Sequence, residues 1–132
     1  MATIKSYSNL EQSKKLAEIL PLESADMYYP WYIEEDRDNI KSGHRISIPS
    51  VGNFIHKVNI LPCWSLAALL SVIPKHINDY NVLRIDISNN DFAIWYDEIG
   101  HGVNNDLPDI TMGSAVDACY KMILKLYELN LL

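Results

Sequence analysis

The sequence predicts an α+β fold: a two-layer domain in which antiparallel hairpins pack on about three helices, with the C-terminal helix in the core. Three observations carry this. Ser114–Leu132 has helical periodicity and almost no polar side, Leu83–Tyr96 alternates with period two about a polar turn, and a second alternating stretch separates two further helical segments. At 132 residues, 48% hydrophobic and 21% charged, the chain is expected to form one compact domain over residues 1–132, with no repeat, low-complexity segment or linker dividing it.

In Ser114–Leu132, Ser114 stands at the N-cap and Asp117 at the third helical position faces the positive helix end. Val116, Cys119, Tyr120, Ile123, Leu124 and Tyr127 make one apolar face, which Ala115, Ala118, Met122, Leu126 and Leu129 widen. Asp117, Lys121, Lys125 and Glu128 form the one polar stripe, so neighbours should cover most of the helix. Its surplus apolar surface, with Leu131 and Leu132, could alternatively close a homodimer.

From the N-terminus, Ser8 and Glu11 read as a capping box opening a helix over Asn9–Leu20, which Pro21 ends. Leu22–Met27 reads as a turn or a short helical segment. Tyr28–Ile33 (YYPWYI) reads as extended, and Pro30 makes it an edge strand or loop rather than a central strand. Glu34–Asn39 follows as a polar connection without the ligand spacing of a calcium loop. Arg45–Ile48 alternates, as do Phe54, His56, Val58 and Ile60, so Ser50–Asn53 reads as the turn of a hairpin.

Pro62 suits the first position of a second helix that runs to Pro74. Leu83, Ile85 and Ile87 then alternate, Asn89-Asn90-Asp91 turns the chain, and Phe92, Ile94 and Tyr96 alternate back with Trp95 on the opposite face. Gly100–Met112 reads as a long loop.

Composition excludes several functions. A net charge of -6 with scattered basic residues argues against nucleic acid as a partner. Ile60–Ile73, broken by Pro62, Ser65 and Ser71, is too short to span a bilayer, so no membrane role is expected. The first residues, MATIKS, do not read as a secretion signal, and Cys63 and Cys119 read as reduced thiols of a cytoplasmic protein. No phosphate loop, dinucleotide fingerprint, G-x-S-x-G, H-E-x-x-H or C-x-x-C is present, and no cofactor is expected.

Two constellations could carry chemistry. Cys63, placed at a helix start, followed by His101 and then Asn105 (with Asn104, Asp106 and Asp109 nearby), resembles the order in papain-type cysteine hydrolases. Ile60-Leu61-Pro62 stands where that family has glycines, and an inert core thiol competes with the catalytic reading. Asp97, Glu98 and His101 could together hold a divalent ion, although one histidine among unspaced acids equally suits a solvated loop. His56, without a second ligand at metal spacing, reads as a structural histidine.

What remains is surface. Tyr28, Tyr29, Trp31 and Tyr32, stiffened by Pro30 and bordered by acids, have the composition of a recognition patch that Trp95 extends. The expectation is therefore a non-enzymatic module binding a protein partner, with the Cys63 hydrolase or a small-ligand-binding protein as alternatives. PLESADMYY (Pro21–Tyr29), LPCWSLAALL (Leu61–Leu70) and VDACYKMILKLYELNLL (Val116–Leu132) together resemble a group of short uncharacterised proteins encoded by phages and prophages of gut bacteria. That resemblance implies an accessory protein of a mobile element that binds a host or phage factor, and it carries no active site.

Overall fold

A computed structural model describes residues 5–35, 40–45, 48–52 and 60–132; for 31–35 and 40–45 the description is of the backbone. The fold is α+β, with three α-helices and antiparallel sheets among the described residues, and the C-terminal helix packs on a sheet. The chain forms two compact units: Tyr7–Ser65, and Leu66–Leu132 together with Lys5 and Ser6.

The Tyr7–Ser65 unit begins with α1 (Leu10–Ile19), capped by Asn9 rather than by Ser8 as expected. The Asn9 Oδ1 accepts from the Gln12 N–H at 2.8 Å, and the Gln12 Oε1 accepts from the Asn9 N–H at 3.1 Å, a capping box one residue later than the S-x-x-E pattern. Ser8 cannot serve because its hydroxyl is buried and accepts from the Trp64 N–H at 3.1 Å. A single 3-10 turn, Leu22–Ser24, precedes strands β1 (Met27–Tyr29), β2 (Trp31–Glu35), β3 (Ile40–Arg45), β4 (Ser50–Val51) and β5 (Leu61–Cys63).

Four expectations are corrected here. Tyr28 and Tyr29 lie in the middle strand of the sheet β4-β1-β5, not in an edge or loop; Pro30 falls in the break between β1 and β2, so its missing N–H interrupts no ladder. Glu34 and Glu35 belong to β2, which pairs with β3, rather than to a connection. Ser50 and Val51 are a strand opposite Tyr28 and Met27, not a hairpin turn. Pro62 pairs opposite Tyr28 in β5 instead of opening a helix. The second strand of the expected first hairpin, with Phe54, His56 and Val58, lies outside the described residues.

In the other unit, α2 is only Leu66–Val72. It is followed by β6 (His76–Ile77), β7 (Asn81–Ser88), β8 (Asp91–Glu98), β9 (Gly102–Val103), β10 (Ile110–Met112) and α3 (Ala115–Glu128). The sheet runs β10-β8-β7-β6, with β9 also on β8, so the Gly100–Met112 stretch is not all loop: two short strands in it complete the sheet. The β7–β8 hairpin closes on Asn89 and Asn90, both at positive φ (49° and 70°), a type I′ turn that matches strand twist. Asp91 is therefore the first strand residue rather than part of the turn.

Phe92, Ile94 and Tyr96 are buried on one face of β8, under α3, as their alternation predicts. α3 begins as expected, with the Ser114 hydroxyl accepting from the Asp117 N–H at 3.3 Å; the Asp117 carboxylate pairs with the Lys5 ammonium at 2.7 Å. Val116, Cys119, Met122, Ile123 and Leu126 are fully buried, and α2 packs against this helix.

Candidate functional site

The Cys63 thiol is buried. Cys63 ends β5, three residues before α2 begins. Around it, Ser8 is the hub of a buried polar network. The Ser8 carbonyl accepts from the Tyr29 hydroxyl at 2.6 Å and from the Cys63 thiol at 3.4 Å, while the Ser8 hydroxyl bonds Ser13 Oγ at 2.7 Å and lies 3.7 Å from Cys63 Sγ. These contacts tie α1, β1 and β5 together. Burial pushes the Cys63 pKa up, and the hydrogen bonds from Ser8, Ser13 and Tyr29 offset that only in part.

His101 and Asn105 are exposed and belong to the other unit, and Asn104 is used structurally, donating to Asn81 Oδ1 at 2.9 Å and accepting from the Asp106 N–H. In the folded protein both cysteines, each 0% exposed, are expected to resist iodoacetamide near neutral pH while the denatured chain takes two labels. Intact-mass measurement decides this; rapid labelling of Cys63 in the native state would restore the nucleophile reading.

Asp97 and Glu98 are successive strand residues and so point to opposite faces, and among the described residues no group of three His, Cys, Asp or Glu could hold an ion. Of the aromatic residues, Tyr29 is 1% exposed and its hydroxyl is consumed inside, so it leaves the recognition patch. Tyr28 is partly buried. The side chains of Trp31 and Tyr32 lie outside the described residues.

Trp95 is where geometry accumulates. On the sheet face away from Ile94 and Tyr96, its cross-strand partner is Arg84, and Val82, Asp97 and Val103 lie opposite one another beside them. The Trp95 indole N–H donates to Asp97 Oδ1 at 2.8 Å, and Arg84 Nε lies 3.3 Å from Asp97 Oδ2. One carboxylate therefore holds both an indole and a guanidinium. Next to them is a cleft of about 260 Å³ lined by Val82, Arg84, Asp97, Glu98, Ile99, Gly100 and Gly102. Gly100 and Gly102 sit at φ +85° and +80°, conformations that suit glycine and let the β8–β9 turn fold tightly beside the cleft.

The sequence points to Asp97 only as a candidate metal ligand and does not point to Arg84. The signal existed: Trp95-x-Asp97 spacing puts both on one strand face, and a two-residue turn at Asn89-Asn90 places Arg84 opposite Trp95. No family model matches the chain, and neither a curated protein nor a solved structure matches it. No helix among the described residues is long and apolar enough to cross a membrane.

Proposed function

We propose that this protein is a non-enzymatic interaction module that binds a protein partner through the outer face of its five-stranded sheet, with Trp95 as the anchor. The observation that carries the reading is the Asp97 carboxylate, which braces the partly buried Trp95 and the largely exposed Arg84 beside a cleft able to take a partner side chain. An aromatic held in one orientation before binding loses little entropy on contact, and Trp and Arg are the residues that most often carry interface energy. The buried thiol and the dispersed polar residues support binding over catalysis. In keeping with the resemblance to phage and prophage proteins, the partner would be a host or phage protein met in the cytoplasm. The cleft itself favours a second reading, a small polar ligand held by Arg84, which a thermal-shift screen against Arg84→Ala would reveal.

Recovery of interacting proteins from bacterial lysate with the tagged chain tests the main reading. Trp95→Ala is expected to lose a specific partner at least tenfold while the far-UV circular dichroism stays native, because the indole is only partly buried. Identical recoveries with both baits would remove Trp95 as the anchor.

A further inference from the structure

We infer that the edge of β7 left unpaired by the described strands recruits its partner by strand addition: an extended segment of another protein, with a basic residue between two apolar ones, pairs along Arg84–Ser88 and sets the basic side chain opposite Asp86. This rests on the interaction-module reading and names the chemistry of the partner.

The backbone bonds fix which groups face the edge. Leu83 N–H donates to the Lys75 carbonyl on the β6 side at 2.9 Å, whereas Ile99 N–H reaches back to the Tyr80 carbonyl at 2.7 Å across the β7–β8 ladder. Odd-numbered residues of β7 therefore turn their N–H and C=O outward, and even-numbered ones turn them to β8. Lys75 occupies the place beside Leu83, and β6 pairs only at Val82 and Asn81. Beyond it, Ile85 and Ile87 present both backbone groups to an edge that no described strand occupies. Their side chains lie on the same face as Ile94 and Phe92, yet remain 43% and 73% exposed. An apolar edge with open donors and acceptors is a template for another strand.

Charge sets the occupant. On the outer face of this edge, Arg84 is neutralised by Asp97, while Asp86 has no cation in ion-pair reach among the described residues. Because the odd residues make the hydrogen bonds, Asp86 falls at a non-hydrogen-bonded position, where paired side chains come closest. A lysine or arginine there gains an ion pair, and its two neighbours fall opposite Ile85 and Ile87 and should be apolar.

A second copy of this chain fits poorly. Antiparallel self-pairing centred on Asp86 stacks carboxylate on carboxylate. Shifting the centre to Ile85 matches Arg84 with Asp86 but drives Ile87 of the second copy into the space that Lys75 fills.

The probe is a capped peptide with lysine between two valines and threonine outside each, titrated into the full chain and followed by amide NMR shifts. We expect shifts at the Ile85 and Ile87 amides, about fivefold weaker binding when glutamate replaces the lysine, and reversal of that preference in Asp86→Lys. Ile87→Pro removes an outward N–H, leaves the β7–β8 ladder intact and should weaken the lysine peptide at least tenfold. Absence of shifts at Ile85 and Ile87, equal affinity for the two peptides, or binding that survives Ile87→Pro overturns the inference, as does a dimer in sedimentation that Ile87→Pro dissociates. A lysate partner lost in Trp95→Ala but kept in Ile87→Pro would overturn strand addition and leave the interaction module standing; one kept in Trp95→Ala but lost in Ile87→Pro would remove Trp95 as the anchor and leave strand addition standing.

Discussion

Raising the pH through the alkaline range is expected to unfold the protein, with loss of far-UV circular dichroism and the tyrosinate absorbance of the buried Tyr29 and Tyr96 appearing together. Burial pushes the Cys119 thiol up to about 12, against the Lys75 charge that lowers it slightly, and raises Cys63, Tyr29 and Tyr96 above their ordinary ranges. The sign follows from proton counts. In the unfolded chain a thiol ionises near pH ~8.5, whereas the folded state keeps its proton to the higher value, so native stability is full below that pH and declines above it. Cys119 alone removes somewhat more than ~1 kcal/mol per pH unit, or on the order of 4 kcal/mol by its folded pKa of about 12. Tyr29 and Tyr96 add to the decline above pH ~10. Against a domain stability of roughly 5–15 kcal/mol, this suffices to cross the midpoint. Cys119→Ala should flatten the decline by one group; if the share of tyrosinate absorbance that Tyr29→Phe and Tyr96→Phe remove rises near pH ~10 with the circular dichroism intact, the two phenols are not sealed in.

Tyr96→Ala is expected to cost roughly 3–5 kcal/mol in urea denaturation, the largest effect of a single substitution proposed for the five-stranded sheet. The ring is 0% exposed beneath α3, and its hydroxyl donates to the Pro74 carbonyl at 2.7 Å, linking β8 to the exit of α2. Tyr96→Phe keeps the ring but leaves that carbonyl without its donor, for a loss of about 1 kcal/mol. The two variants separate packing from hydrogen bonding. Equal losses would mean that the hydroxyl, not the ring, holds the layer.

The parts legible in the sequence are those in which all the signals are local. The C-terminal helix announces itself because Ser114, Asp117 and the apolar repeat lie within a few turns, and α3 begins where they place it. The main hairpin is legible for the same reason, since Asn tolerates positive φ and both arms alternate. Pro62 misled because a proline at a helix start and a proline in an edge strand look alike until the partner strand is known, and that partner, β1, is over thirty residues away. β9 and β10 escaped notice because strands of two and three residues have no period to detect. Trp95 was placed on the right face, but its partners depend on register: an Asn89-Asn90-Asp91 turn puts different residues opposite it than the observed two-residue turn does. Cys63 shows the same dependence, because its reactivity is decided by Ser8, Tyr29 and burial, none of them adjacent to it in sequence.

The two-residue turn between β7 and β8 and the Lys5–Asp117 ion pair stand at opposite extremes of chain closure. Ser88 and Asp91 meet across two residues, whereas Lys5 and Asp117 are 112 positions apart. By the logarithmic scaling of closure entropy, the long span costs roughly 3 kcal/mol more to bring together than the short one. An ion pair of this kind repays only a fraction of that by itself. The N-terminal segment can therefore settle on α3 cheaply only after the intervening chain has ordered, and the hairpin carrying Trp95 is the part of the sheet that needs the least help from the rest.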